Sequence, residues 1–576
     1  MLVLNSLQLN AQKPDQFNPT VHVVNSYESR LGDINRPLKA LVVPDSLRQF
    51  DLNFDYGGFE TPYKGSDEFI PTYTELELAE RAFDGRKLYL KAGVGYIPAP
   101  FLKAAWTFKD QGVFKAGLHA DFDSYFGPYR QIVGLDDKLV PVDRTTWIEG
   151  YKYYQAKAIA GMDGRCDWED FSLLMNLDYE GSFGKSAPSG INAVSSYNGL
   201  NARLGMASNF DPSVRWTFAA ELDYAFGFRN KLIRMDAPLN SFEHNAFVKL
   251  YGRRDFRRGS AFDLQIDADF SYDIPRQSLE NYFGWTGVVT PRYFFNNDKV
   301  YIGIGLAVLV DGIHVAAQEQ TQPKAQGQTE DQTPKDKRWP VAIWPVLEFQ
   351  WTAIPRTLDI YAEAKLKGGM YGEREDALNH GFYIPHSDAG FFNTRDYRAE
   401  LGLRGNLWQC FDYDLHGGYN MTANNPLYYV SDGDIQRQKH LSLIFEDTHR
   451  LLAGASVSVR AGIFTASGHV DYSYYVNNEK IALRSIPAAL EAGLDMDFLI
   501  ARRIKLGMGV DYRSPYTAGL YKTSPIVDLR AKAEYKLNNS VTIFANGSNL
   551  LCRSLQYIPL YARKGICITA GATLNF

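Results

Sequence analysis

Residues 262–274 read FDLQIDADFSYDI, in which Phe262, Leu264, Ile266, Ala268, Phe270, Tyr272 and Ile274 alternate with Asp263, Gln265, Asp267, Asp269, Ser271 and Asp273. Successive side chains leave a strand on opposite faces, so the segment is a ribbon with one apolar surface and one charged surface. Residues 215–229 repeat the pattern, with Trp216, Phe218, Ala220, Leu222, Tyr224, Phe226 and Phe228 on one face and Glu221 and Asp223 on the other. In 527–537, Val527, Leu529, Ala531, Ala533, Tyr535 and Leu537 interleave with Asp528, Arg530, Lys532, Glu534 and Lys536. A one-residue slip would turn the charges of any such strand onto its apolar side, at about 2–4 kcal/mol for each Lys or Arg at a bilayer midplane. Each ribbon therefore separates an apolar medium from water, and its register is fixed.

From Lys87 onward about 22 segments of this kind follow one another, each close to the length that crosses a bilayer at a tilt, some longer. Tight turns are expected at 110–112, 211–213, 257–260, 296–299, 354–356, 460–462, 501–503 and 538–540. Longer polar connections are expected at 127–150, 186–196, 230–240, 313–338, 372–395, 425–447, 477–486, 515–524 and 553–564. Long and short take turns, as they do when every second connection faces the periplasm and the rest face outward. The prediction is an all-β transmembrane antiparallel β-barrel of about 22 strands, with long extracellular loops and short periplasmic turns.

The chain before the barrel, 12–86, is different in kind. Prolines stand at 14, 19, 37, 44, 62 and 71 and apolar stretches such as Leu41–Val43 are brief, which predicts a proline-containing periplasmic or lumenal arm without a core of its own. The opening MLVLNSLQLNAQ reads as the remnant of a secretory signal over 1–11, cut after Ala11. The barrel then occupies 87–576, and its outer loop QEQTQPKAQGQTEDQTPKDKR has nothing to bury.

Composition narrows the function classes. No run of 18 or more apolar residues exists, so spans are made of strands. A net charge of −5 without a basic stripe argues against nucleic acid. The four cysteines show no CxxC spacing, His380 and His386 fit no usual zinc spacing, and no GxSxG elbow is present, so no metal, cofactor or catalysis is expected. The candidate site is a lumen-facing acidic wall of Glu221, Asp223, Asp263, Asp267, Asp269, Asp273, Glu491, Asp495 and Asp497. Such a wall selects cations or a basic ligand, or is simply the polar lining common to these barrels, with Arg530, Lys532 and Lys536 as compensating charge. Cys552 and Cys567 flank the last outer connection, compatible with a disulfide in an oxidising compartment or with two separate thiols.

The chain ends GICITAGATLNF, with Ile566, Ile568, Leu574 and Phe576 on one face. This resembles the C-terminal signal read by the outer-membrane barrel-assembly machinery. DLRAKAEYKLNNSVTIFANGSNLL, a spacer with Tyr557 and Tyr561, and the final strand resemble the last hairpins of TonB-dependent receptors. VHVVNSYESRLGDINRP and the first strand LYLKAGVGY resemble a plugless subgroup of such barrels in Gram-negative bacteria. The resemblance implies an outer-membrane location, contact with lipid, insertion by the assembly machinery, and association with other outer-membrane proteins or lipoproteins. The globular plug of true receptors has no counterpart, and Thr20–Tyr27 fits a TonB box or a β-prone arm. Two functions follow: a subunit or scaffold of a larger envelope complex, or an uptake channel or receptor whose plug is absent or supplied by a partner.

Overall fold

The computed structural model describes residues 87–576 apart from pieces of the connections, the longest being 133–146, 318–339 and 381–391. The leader, the arm with Thr20–Tyr27, the low-complexity loop and His386 lie outside the described residues, and so does the side chain of His380.

Twenty-two strands close into one antiparallel sheet. They are β1 Leu88–Tyr96, β2 Phe101–Lys109, β3 Phe114–Tyr125, β4 Tyr154–Asp167, β5 Phe171–Ser186, β6 Ala193–Ser208, β7 Trp216–Ile233, β8 Ala237–Asp255, β9 Ser260–Pro275, β10 Glu280–Asn296 and β11 Val300–Ala317. There follow β12 Val341–Ile354, β13 Leu358–Tyr371, β14 Phe392–Leu407, β15 Phe411–Asp432, β16 Lys439–Ala461, β17 Phe464–Tyr475, β18 Leu490–Ile500, β19 Ile504–Arg513, β20 Ile526–Lys536, β21 Val541–Ser548 and β22 Cys567–Asn575. The ring closes where β22 pairs with β1 from Tyr89–Asn575 to Tyr96–Ile568, and Leu88 N–H donates to Phe576 O at 2.7 Å. Backbones approach closely at this joint: a Cβ on Gly571 would stand 2.0 Å from Ala92 O. Gly571→Val is therefore expected to hinder closure, measured as loss of the heat-modifiable, fast-migrating form in gel electrophoresis.

The expected alternation of faces holds. Phe262, Leu264 and Phe270 are exposed while Asp263, Gln265, Ser271 and Asp273 are buried. Outward apolar side chains meet lipid, and inward polar ones fill the lumen. Among the described residues no helix is long and apolar enough to cross a membrane. The expected turn 211–213 lies outside the described residues; the other seven fall at strand junctions on the side that carries the chain ends, joined there by two more at 168–170 and 408–410. Strand lengths differ from expectation, reaching 22 and 23 residues in β15 and β16. The expected connections 230–240 and 425–447 are mostly strand, and 97–100 is a short outer connection. Above the hydrocarbon both faces are wet, so the bilayer sets no upper limit on a strand.

One stretch of wall is split. β12 and β13 pair only from Ile354–Leu358 to Leu347–Ala364; beyond that point β12 keeps its partner β11 through Val341, and β13 keeps β14 through Tyr371. The upper parts of β13 and β14 tuck inside β10–β12. Their outward faces, which meet lipid lower down at Leu401, here pack on the inward faces of the overlying strands. Leu366 joins Val288, Ala307, Leu309 and Val346 in a buried cluster, and Trp344 packs edge-on against Tyr397 at 5.2 Å. Arg395 donates twice to Asp311, both at 2.7 Å.

Candidate functional site: the lumenal helix and the acidic wall

The connection after β13 forms a helix, α1 Glu373–His380, that reaches into the lumen. The local sequence starts it: Asp376 N–H donates to Gly372 O at 3.1 Å, while Glu375 Oε2 accepts the Gly372 N–H at 3.0 Å, one half of a capping box. Acidic side chains in the first turn also suit the helix dipole. Eight residues are too few for a helix to persist alone in water. Tertiary contacts hold it.

Those contacts are ion pairs with distant strands. Arg374 makes a two-pronged bond to Glu180 of β5, at 2.9 and 2.8 Å, and its backbone N–H donates to Glu243 Oε2 of β8 at 2.7 Å. Asp376 accepts from Arg229 of β7, a pair whose side chains are 1% and 0% exposed, and Tyr371 Oη donates to the other oxygen of Asp376 at 3.4 Å. Arg229 is braced by Ser195 of β6, whose hydroxyl accepts from Nε at 3.2 Å. Burial opposes the Arg374 charge, but the hydrogen bonds and charge of Glu180 outweigh it and hold the guanidinium pKa above its ordinary value. Burial pushes the Glu375 carboxyl up, with Arg374 opposing. The wall thus answers Arg374 and Asp376 each with an opposite charge, which favours this seating of the helix.

Outer segments pack together beside this helix. Tyr371, Val430, Leu441, Leu443, Ala518 and Tyr521 form a buried cluster that joins the top of β13, the extended β15–β16 hairpin and the connection between β19 and β20. Tyr521 Oη donates to Gln556 Oε1 at 2.7 Å, which brings in the connection before β22. The hairpin bends because Thr422–Asn425 breaks the ladder in a bulge, with Asn424 at φ 54° and its N–H held by Asp447 at 3.0 Å. Asparagine takes that left-handed conformation at low cost. The strands Tyr129–Ile132, Trp147–Ile148, Ser554–Ile558 and Tyr561–Lys564 add a second small sheet over the mouth.

The carboxylates singled out from the sequence line the lumen in two separate groups, on β7 and β9 and on β18. Most are matched by cations. Arg203 takes Glu221 at 3.2 Å and Asp223 at 2.9 Å; Arg292 takes Asp263 at 2.9 Å; Arg513 takes Glu491 at 2.5 Å. Arg530 reaches Asp495 at 3.3 Å, and Lys532 reaches Asp497 at 2.8 Å. Asp267 accepts from Gln265 at 2.7 Å, Asp273 is buried, and Asp269 lies near Glu375 of the lumenal helix. Arg530 and Lys532 thus stand as counter-charges to Asp495 and Asp497. Cys552 and Cys567 are not joined by a disulfide. Ile568 and Phe576 are exposed on the outside of the closing joint, while Ile566 and Leu574 are half-buried. The residues that seat this helix against the wall, Glu180, Arg229, Glu243, Arg374 and Asp376, were absent from the expected set.

No protein-family model matches the sequence, and no curated protein matches it. Solved structures do. The FrpB iron transporter from Neisseria meningitidis superposes with TM-score 0.62 at 10% identity, over 85% of this chain and 82% of that one. The copper transporter OprC gives 0.59 at 11%, over 85% and 80%. The siderophore receptor PirA from Acinetobacter baumannii gives 0.57 at 8%, over 85% and 80%. At such identities the likeness is one of fold: a 22-strand barrel like the walls of these transporters and this receptor, here with the outward apolar belt of an outer-membrane barrel.

Proposed function

We propose that the chain is a receptor-type outer-membrane barrel without a globular plug of its own, shut by its own helix and outer loops, and that it serves as a structural subunit of a larger envelope assembly. A wall of this size leaves a channel or must be filled. The observation that carries the reading is the pinned helix α1 beneath the stitched lid, because segments of the barrel itself do the filling. A barrel closed in this way protects the cell from leakage without a transport cycle. Purification in mild detergent tests the role: the expected result is one or more envelope proteins in constant ratio with the chain, and a solitary chain under gentle conditions contradicts it.

The second reading is a receptor for uptake from outside, favoured by the kinship of fold with transporters of iron and copper and a siderophore receptor. It requires the lid to open for a ligand. Leu443→Ala loosens the lid by about 2–5 kcal/mol, the cost of truncating a buried leucine. On the receptor reading this raises ligand-free conductance and alters uptake; on the structural reading it leaves partner association intact.

A further inference from the structure

Above Leu347–Ala364, β12 and β13 part, and each keeps an edge that no strand covers among the described residues. Thr352 N–H donates to Lys299 O and Pro340 O accepts from Asp311 N–H, so even-numbered residues of β12 turn their backbone groups toward β11. The odd-numbered ones, Val341, Ile343 and Pro345, turn theirs toward the gap. On β13 the even-numbered residues face away from β14, and Met370 N–H donates to a side chain, the Asp269 carboxylate of β9. Val341 and Ile343 are 45% and 61% exposed on the outer side. The edge of β12 thus borders lipid, where backbone groups without partners are unfavourable.

The two edges are compatible with each other. Carried upward, the register of Leu347–Ala364 sets Pro345 against Leu366, Ile343 against Gly368 and Val341 against Met370. These pairs would exchange ladder bonds, with Pro345 able only to accept. Their side chains would all lie on the lipid side and all are apolar, while Lys365 and Lys367 would turn to the lumen, as the rest of the wall requires. Hydrocarbon and the inner face of β10 and β11 accept the same side chains, so one sequence serves both positions of β13.

The tucked position is held by side chains and not by a ladder. Arg395 reaches Asp311, Leu366 enters the buried cluster, and glycines make the room. A Cβ on Gly368 would lie 2.7 Å from Thr286 Oγ1 and 2.8 Å from Leu309 Cδ1, and one on Gly284 would meet Met370 Cε. The overlap also carries a cost: Thr286 Oγ1, Trp344 Nε1 and Asn393 Oδ1 are buried there with no hydrogen-bond partner among the described residues.

We infer that the split wall is one of two states of this barrel, and that in the other β13 zips onto β12 from Leu347–Ala364 up to Val341–Met370, drawing helix α1 off its seat. From its place against β9 and β10, Met370 crosses three strand spacings, about 14 Å. Only Gly372 separates Tyr371 from α1, so the helix does not keep Glu180 and Arg229 through a displacement of that size. Loss of those buried pairs opposes zipping, as does the bond that Pro345 cannot give. New ladder bonds and release of the partnerless groups favour it.

Disulfide trapping of the full chain in vesicles tests the second state. In the zipped ladder Ala342 and Gly369 form a non-hydrogen-bonded pair, whose Cβ atoms stand close enough to bridge; in the split wall they belong to different layers. Ala342→Cys/Gly369→Cys is expected to form this disulfide, mapped by peptide mass spectrometry, in a minor fraction of molecules. The yield is expected to rise severalfold when Gly368→Val is added, since valine clashes with Thr286 and Leu309 in the tucked position only, and likewise with Arg395→Ala, which removes the tie to Asp311. Heat-modifiable migration confirms that each variant is folded. Amide exchange over 373–380 is expected to be fast in the oxidised protein and to slow again on reduction. No 342–369 disulfide in any of the three backgrounds, or a yield indifferent to both substitutions, overturns the second state; a disulfide that leaves exchange over 373–380 unchanged overturns its coupling to the helix.

Discussion

Arg229→Ala is expected to release helix α1 from the wall. The substitution leaves the Asp376 carboxylate, 0% exposed, without its cation. Removing one partner of a buried ion pair costs about 3–5 kcal/mol, mainly because the remaining charge stays desolvated. That is comparable to everything holding an eight-residue helix in place, so the helix and not the barrel is expected to yield. Amide hydrogen exchange over 373–380 should accelerate markedly while strands β5–β8 keep their protection. Reversing the pair, Arg229→Asp with Asp376→Arg, is expected to restore part of the protection. Unchanged exchange in Arg229→Ala would mean that Arg374, bound to Glu180 and Glu243, suffices by itself.

The second large effect concerns the outer surface. Leu222 is 45% exposed on the apolar face of β7, six residues above the turn end at Trp216 and so near the bilayer midplane. Leu222→Arg is expected to destabilise the barrel in liposomes by about 2–4 kcal/mol. Lys532→Gln, on the lumenal face where Lys532 pairs with Asp497 at 2.8 Å, is expected to cost no more than about 1 kcal/mol, as half-exposed ion pairs usually do. Urea titrations of both variants in vesicles measure the contrast. Similar costs would mean that the face carrying Leu222 does not lie in hydrocarbon.

These two sites differ in how far the sequence discloses them. The medium on each side of a strand is written locally: Phe262 to Ile274 alternates without a fault, and a single strand suffices to tell lipid from lumen. The alternation of turn and loop then yields the strand number. The seating of the helix is not local. Arg374 and Glu180 are 194 residues apart and Arg229 and Asp376 are 147 apart, and nothing in either neighbourhood names its partner. A short run such as EREDALNH has no apolar stripe to give a helix away, because this helix is seated by charge.

The split wall was hidden for another reason. Tyr397, Ala399, Leu401 and Leu403 keep one apolar period along β14, yet the lower pair meets lipid and Tyr397 meets Trp344 of another strand. Hydrocarbon and a second protein layer select the same side chains, so period alone does not separate them. Pro345 was the local trace, since a proline inside a strand marks an edge. The acidic positions show what reading one strand at a time leaves out. Asp263 suggests a negative surface until Arg292 is seen on the neighbouring strand, at 2.9 Å.

Single-channel recording in planar bilayers tests the account most directly. The purified wild-type barrel is predicted to be electrically silent, and deletion of 373–380 together with Leu443→Ala is predicted to produce steady, ohmic conductance. A large stable conductance in the wild-type protein, unchanged by that deletion, would contradict closure of the lumen by the chain's own helix and loops.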